Sequence, residues 1–113
     1  METIFDKIVA GKIESEFVYE DEHVIAFKDI NPQAPVHVLV LPRNKFVNLI
    51  EAKDLDPVDL GRFLQGVSKC AETLGLEENG YRVVINSGRQ AQQSVEYVHA
   101  HILGGRQLQW PPG

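Results

Sequence analysis

An alternating segment near the C-terminus constrains the fold of this chain more than any other feature. In Tyr97–Leu103, His99 and His101 follow Tyr97 at every second position, and small or aliphatic residues fill the positions between them. Side chains of a β-strand point alternately to the two faces of a sheet, so this strand has one apolar face and one face with two imidazoles and a phenol. Covered imidazoles need hydrogen-bond partners and add little packing, so the polar face predicts a functional site.

The polar groups upstream of this strand indicate phosphate chemistry. Imidazole changes charge near neutral pH and serves as base, acid, nucleophile or metal ligand without a large pKa shift. A second strand is predicted over 80–88, and Asn86 near its end is followed by a polar loop that contains Arg89 and Ser94. Backbone N–H groups in such loops form concave anion sites. A His-x-His pair alone would not specify this chemistry, but the amide, hydroxyl and guanidinium groups nearby favour it.

Composition and charge narrow the class of protein. The chain has 113 residues, of which 43% are hydrophobic and 24% charged, as expected for one globular domain over 1–113. Its 11 basic and 16 acidic side chains give a formal net charge of −5, which disfavours a nucleic acid polymer as partner but not a single nucleotide. We see no membrane-spanning apolar run, no signal peptide and only one cysteine, so we expect a cytoplasmic protein without a membrane partner.

The remaining periodicities predict an α+β fold. The predicted elements are a short helix capped by Thr3, strands over 17–19, 23–27 and 36–42, a main helix from Asp56-Pro57 to Gly75, and the strands over 80–88 and 97–103. The strand over 36–42 is apolar on both faces and is expected at the centre of the sheet. Strands followed by one long helix favour a mainly antiparallel sheet that is covered on one face.

Several separated motifs resemble the histidine triad family, and within it the nucleotide-binding, Hint-like branch. Tyr97–Leu103 fits the family signature His-φ-His-φ-His-φ-φ, in which φ is apolar, except that tyrosine stands at the first histidine. The similarity continues in the same order through 3–8, 26–37 and 103–113. It implies a five-stranded sheet with two helices, and a homodimer that continues the sheet across its interface.

The resemblance also implies a reaction. His99 is implied as the nucleophile that attacks the α-phosphorus of a purine nucleotide of AMP or GMP type, and water then hydrolyses the nucleotidyl-histidine. The backbone carbonyl of residue Tyr97 is implied to orient the other ring nitrogen of His99, and a carbonyl survives a change of side chain. His101 is implied to bind a phosphate oxygen, and His37 belongs to a histidine relay behind the site. The family implies no cofactor and no metal.

The other implied contacts surround the phosphate, ribose and base of the nucleotide. Ser94 and Asn86 resemble the phosphate contacts of the family. Donors aimed at developing charge in this way stabilise a transition state. Asp29 resembles the carboxylate that accepts the two ribose hydroxyls. The apolar walls around the base are expected from Phe5, Ile8, Phe27 and Ile30. Residue type alone leaves ordinary core packing equally open for these four side chains.

Three departures from the family pattern leave the extent of turnover open. Tyr97 removes one imidazole from the relay, and its phenol does not buffer a proton near pH 7. Gln92 replaces a glycine beside the phosphate loop, and Arg89 adds a cation there. We expect activity that is slowed or shifted in leaving-group preference. The alternative is a nucleotide-binding dimer with little or no turnover because of Tyr97 and Gln92.

Two further interpretations stay open from the residues alone. A metal protein is possible because the His99–His101 pair supplies two ligands and His37 a third, although no thiol or fourth ligand is evident. The second interpretation is an interaction protein, in which the dimer is a scaffold and the segment around Trp110 contacts a partner.

Overall fold

One five-stranded antiparallel sheet organises the computed structural model, which describes residues 1–113. In chain order the elements are α1 (Ile4–Val9), β1 (Tyr19–Glu20), β2 (Val24–Lys28), β3 (Val36–Pro42), α2 (Leu49–Ala52), α3 (Pro57–Thr73), β4 (Arg82–Val84), a 3-10 turn (Arg89–Ala91) and β5 (Ala100–Gly104). The strand order is β1-β2-β3-β5-β4. The predicted α+β class with a five-stranded antiparallel sheet is confirmed, and its two main helices are α1 and α3. The dimer stays a prediction.

The capping residues that the sequence predicts fix both main helices. Thr3 and Asp6 form a reciprocal capping box at the start of α1, in which the Asp6 carboxylate accepts from the Thr3 backbone N–H at 2.7 Å. Asp56 caps α3 by accepting from the backbone N–H of Val58 at 2.8 Å, and Pro57 takes the first helical position. The helix ends before Gly75, whose φ of +74° suits glycine.

The sheet buries a different apolar cluster on each face. The face beneath α3 carries Val24, Ala26, Val38, Val40, Val98, Ala100 and Ile102, which pack with Phe63, Val67, Cys70 and Ala71 of the helix. Gly66 allows the close approach of α3, because a Cβ at this position would lie 2.6 Å from a methyl carbon of Val24. On the opposite face, Ile25, Phe27, Leu39, Leu41 and Tyr97 pack with Phe5 and Ile8 of α1. The central strand β3 is therefore buried on both faces, as predicted.

The segment that contains the histidines alternates as predicted but is paired as a strand over a shorter range. Its small and aliphatic side chains face α3, whereas Tyr97 belongs to the opposite cluster. Regular pairing begins only at Ala100, opposite Val40. In the same register Val98 would face Pro42, which has no N–H to donate. The backbone N–H of Val98 donates instead to the carbonyl of Phe46 at 2.9 Å. The predicted strand over 80–88 is likewise reduced to the short edge strand β4.

No helix in the chain combines the length and the apolar character needed to cross a membrane.

Candidate active site

A cleft of about 300 Å³ opens on the sheet face opposite α3, between α1, the end of β2 and the loop that precedes β5. This volume lies at the lower end of the range typical for small-molecule sites. The predicted site residues that line it are Phe5, Ile8, Phe27, Asp29, Ile30, Ser94, His99 and His101, and the residues that sequence reasoning missed are Ile4, Lys28, Leu39 and Val95. Two thirds of the residues that line the cleft were therefore among the predicted site residues.

His99 lies at the inner end of this cleft with its ring orientation fixed by the main chain. Its Nδ1 atom is 2.8 Å from the carbonyl oxygen of Tyr97. Since a carbonyl only accepts, Nδ1 carries the proton and donates, which leaves the lone pair of the neutral ring on Nε2. Burial lowers the pKa of His99, although the bond to the Tyr97 carbonyl and the charge of Asp29 oppose this effect. The ring also meets the edge of Phe5, with 5.1 Å between centroids. His99 is therefore a neutral, oriented imidazole at neutral pH.

His101 lines the same cleft and carries a buried nitrogen without a partner. Its Nδ1 atom lies 2.9 Å from Nε2 of His37, and its own Nε2 is buried and makes no hydrogen bond within the chain. Burial and then the neighbouring rings of His99 and His37 lower the pKa of His101 to about 4. An unpartnered buried polar atom is rare in proteins, and this one belongs to a residue that lines the cleft.

His37 sits behind His101 and does not line the cleft. The pairing of β3 with β5 puts His37 opposite Leu103 and Leu39 opposite His101, so the two imidazoles are diagonal neighbours on one face. His37 Nε2 is also 3.3 Å from the Oδ2 atom of Asp29, and its Nδ1 accepts from the backbone N–H of Gln33 at 3.0 Å. His37 thus has three polar neighbours although position 97 is tyrosine.

The side chain of Tyr97 takes no part in this histidine chain. Its hydroxyl donates to the carbonyl of Pro42, and the residue is 1% exposed. Its ring packs edge-on with Phe5, and the ammonium of Lys45 lies 5.5 Å from the ring centre. Burial raises the pKa of the Tyr97 phenol. The one polar contact between Tyr97 and a histidine is made by its backbone carbonyl, which accepts from His99 Nδ1.

Asp29 and Ile30 form the outer part of the cleft. The Oδ1 atom of Asp29 accepts from the backbone N–H of Asn31 at 2.8 Å, which holds the carboxylate at the end of β2. The pairing of Asp29 N–H with the His37 carbonyl at 3.0 Å extends the β2–β3 ladder by one bond and brings these residues together. Ile30 is fully exposed on the rim, so ordinary core packing is excluded for this residue, whereas Phe5, Ile8 and Phe27 belong to the core cluster and to the cleft.

The polar loop before β5 is built around a residue that sequence reasoning missed. The Gln93 side chain accepts from the backbone N–H of Gly88 at 2.9 Å and donates to the carbonyls of Val47 and Val95 at 2.6 and 3.0 Å. A glutamine in a polar segment gives no distinctive sequence signal, so only the folded loop identifies it. These bonds hold Ser94 at the cleft.

Three predicted phosphate-loop residues lie outside the cleft lining: Asn86, Arg89 and Gln92. Gln92 adopts a left-handed backbone with φ of 60°, which explains why this position suits glycine. Arg89 begins the 3-10 turn and is exposed.

The fold and the site together define a class of small α+β protein in which an oriented histidine pair faces a cleft of nucleotide scale. The chain belongs to the HIT domain family, whose sequence model matches residues 10–108, and to its Hint-like branch. It is 51% identical to a 14 kDa zinc-binding protein of Zea mays, over 98% of this chain and 88% of that protein. It is 48% identical to the adenylylsulfatase HINT1 of Arabidopsis thaliana, over 98% of this chain and 76% of that protein.

A solved structure shows the same fold. The HIT family hydrolase from Legionella pneumophila superposes with a TM-score of 0.87 at 40% sequence identity, covering 99% of this chain and 100% of that chain. The resemblance predicted from the sequence is therefore confirmed at the level of family and fold.

Proposed function

We propose that the protein is a nucleotide hydrolase of the Hint type that cleaves purine nucleoside 5′-phosphoramidates through a nucleotidyl-histidine on His99. The observation that carries the proposal is the 2.8 Å contact between His99 Nδ1 and the Tyr97 carbonyl inside the cleft. A donor role for Nδ1 leaves the Nε2 lone pair as the nucleophile. The family's hydrolase structure and the adenylylsulfatase relative support a reaction at an adenylyl phosphorus.

In the first step, His99 Nε2 bonds to the α-phosphorus while the P–N bond breaks, and the amine leaves with a proton taken from the solvent. In the second step, water bonds to phosphorus as the P–Nε2 bond breaks and gives up a proton to the solvent, which releases the nucleoside monophosphate and restores the free ring. Two moderate barriers replace one high barrier. The buried Nε2 of His101 supports a role for that residue in binding a non-bridging phosphate oxygen. The lowered pKa of His99 keeps it unprotonated and nucleophilic at neutral pH.

The cleft also supports a position for the nucleoside. Asp29 would accept the ribose hydroxyls, Ser94 would contact the phosphate, and Phe5, Ile8 and Phe27 would pack on the base with Ile30 at the rim. Aromatic and aliphatic walls of this kind accept any flat base, so purine preference rests on the family resemblance. The phosphate roles of Asn86, Arg89 and Gln92 stay predictions, because these side chains lie outside the cleft lining.

A homodimer is part of the proposal. The edge strand β4 ends the sheet, and both Val83 within it and Tyr81 immediately before it are 39% exposed. Exposed apolar residues on an open edge strand favour pairing with another strand. A second copy that pairs through β4 would continue the sheet. Sedimentation equilibrium measures this directly, and a monomer at micromolar concentration would remove the dimer from the proposal.

The decisive experiment is release of AMP from an adenosine 5′-phosphoramidate, compared for the native chain, His99→Ala and His23→Ala. His23 is an exposed histidine outside the cleft and serves as the matched control. We expect turnover in the native chain and the control and none in His99→Ala, because the nucleophile is absent. Turnover that persists in His99→Ala would contradict the proposed intermediate.

The alternative function, a nucleotide-binding dimer with little or no turnover, has its own outcome in the same assay. Binding of AMP without release from the phosphoramidate by the native chain, together with turnover in the double variant Tyr97→His, Gln92→Gly, would favour it. Equal rates in the native chain and Tyr97→His would contradict the expected slowing by tyrosine.

A further inference from the structure

The orientation of His37 is determined by a main-chain group outside the predicted site. The backbone N–H of Gln33 lies 3.0 Å from Nδ1 of His37, in the loop between β2 and β3. The His37 side chain is 4% exposed, so its ring nitrogens have to find their partners within the protein.

This contact fixes where His37 carries its proton. A backbone N–H only donates, so Nδ1 of His37 accepts, and the neutral ring carries its proton on Nε2. Two acceptors face that proton: Nδ1 of His101 at 2.9 Å and Oδ2 of Asp29 at 3.3 Å. The shorter distance selects His101 as the main acceptor, with Asp29 as a weaker second contact.

The proton position of His101 follows from that of His37. If Nδ1 of His101 accepts, the neutral ring carries its proton on Nε2. That atom is the one buried side-chain nitrogen without a hydrogen-bond partner in the chain, and His101 lines the cleft. A donor without a partner in a cleft matches an oxygen acceptor on a ligand, such as a phosphate oxygen.

We propose that the backbone N–H of Gln33 is a positioning group that orders the protons of His37 and His101. This order presents His101 Nε2–H to a phosphate-type oxygen and excludes zinc from His37. The part that concerns the phosphate oxygen rests on the proposed function. The order of the protons and the exclusion of zinc rest on the geometry alone.

Zinc is a relevant test because the relative from Zea mays is named as a zinc-binding protein. Asp29, His37 and His101 place donor atoms within 4.8 Å of one another. To bind zinc through Nε2, His37 would have to carry its proton on Nδ1, where it would face the Gln33 N–H at 3.0 Å. Histidines that bind zinc normally donate from their other nitrogen to an acceptor, and here that position holds a donor. The donor set therefore does not fit a zinc site that uses His37.

The experiment compares the native chain with Gln33→Pro and Gln33→Ala, without nucleotide. Proline removes the N–H, whereas alanine keeps it and removes only the side chain, which donates to the Asn31 carbonyl at 3.1 Å. Two-dimensional ¹⁵N–¹H NMR of the imidazole rings reports which nitrogen carries each proton, and His→Gln variants at 37 and 101 assign the signals.

We expect the native chain and Gln33→Ala to show protonated Nε2 on both His37 and His101. In Gln33→Pro we expect loss of this single arrangement and a population with His37 protonated on Nδ1. A native chain with His37 protonated on Nδ1 would overturn the proposal even if the proline variant does not fold. A folded Gln33→Pro with unchanged tautomers would overturn the role of Gln33.

Zinc titration of the untagged native chain provides the second measurement. We expect no shift of the His37 ring signals at equimolar zinc. Stoichiometric zinc that is lost in His37→Gln and kept in His23→Gln would overturn the exclusion. Neither measurement uses the hydrolase reaction. Absence of phosphoramidase activity would therefore refute the proposed function, whereas the order of the protons and the exclusion of zinc would still be decided by the NMR and zinc measurements.

Discussion

Tyr97→Phe separates the structural contribution of this tyrosine from any chemical one. The substitution removes only the hydroxyl, which donates to the Pro42 carbonyl in a buried environment. The ring and its edge contact with Phe5 remain, and so does the backbone carbonyl that orients His99. We therefore expect a loss of stability without a loss of catalytic geometry.

The magnitude follows from what the substitution leaves behind. Pro42 is buried, and its carbonyl would lose the Tyr97 donor without access to water. An unsatisfied buried acceptor costs about 1–3 kcal/mol, and the apolar ring that stays in place adds no cavity term of note. For a domain of this size, each kcal/mol lowers the melting temperature by about 4 °C.

The assay is urea unfolding, followed by initial rates of AMP release from an adenosine phosphoramidate. Tyr19→Phe is the matched control, because its hydroxyl donates to the partly exposed carboxylate of Asp21 and lies outside the cleft. We expect a larger loss of stability for Tyr97→Phe than for Tyr19→Phe, and kcat within about twofold of native, a difference under 0.5 kcal/mol in the barrier. A tenfold fall in kcat with unchanged stability would show that the phenol takes part in the reaction and would refute this reasoning.

Three other predictions concern the loop and the first helix. Gln92→Gly should raise the free energy of unfolding by about 1 kcal/mol, because it relieves a left-handed backbone at an exposed position, and urea unfolding measures this. Gln93→Ala should weaken AMP binding and lower stability by about 1–3 kcal/mol, because three hydrogen bonds that hold the loop are lost, whereas Gln90→Ala should change neither. The bond to Lys45 lowers the pKa of Asp6 from 3.8 to about 2, so its contribution is present above pH 3.8 and disappears as the pH falls through 2. Stability measured against pH for the native chain and Asp6→Asn should therefore converge near pH 2, and a constant difference would contradict the assignment.

Local periodicity and capping chemistry were sufficient to predict the elements that position the site. The alternation in Tyr97–Leu103 predicted both faces correctly, because side-chain direction in extended backbone depends only on sequence parity. Asp56 and Pro57 marked the start of α3, since the groups that cap a helix are local. The predicted length of β5 was wrong, because the length of a strand depends on its partner strand. Here Pro42 of β3 has no N–H to donate, and the pairing of β3 with β5 begins only at Ala100.

The contacts that complete the site do not follow from the residues alone, because they join residues whose separation along the chain carries no pattern. The family resemblance placed His37 in a histidine relay, but no local signal did so. Gln93 reaches Val47, which is 46 positions away, and His37 contacts His101, which is 64 positions away. Neither contact follows from residue type, since glutamine is common in solvated loops and a lone histidine in an apolar strand is often a core residue. The tautomer of His37 depends on the backbone of Gln33, whose side chain has no role in that contact.

Tyrosine at position 97 is compatible with the proposed reaction because main-chain groups, and not side chains, orient the imidazoles of His99 and His37. The Tyr97 carbonyl accepts from His99 Nδ1, and the Gln33 N–H donates to His37 Nδ1. The carbonyl makes Nδ1 of His99 a donor and leaves a lone pair on its Nε2. The N–H makes Nδ1 of His37 an acceptor and leaves a proton on its Nε2. The two neighbouring histidines of the cleft thereby receive opposite roles, with a lone pair on His99 Nε2 and a proton on His101 Nε2. Since every residue supplies the carbonyl and every residue except proline supplies the N–H, we expect these roles to tolerate most side-chain changes at positions 33 and 97.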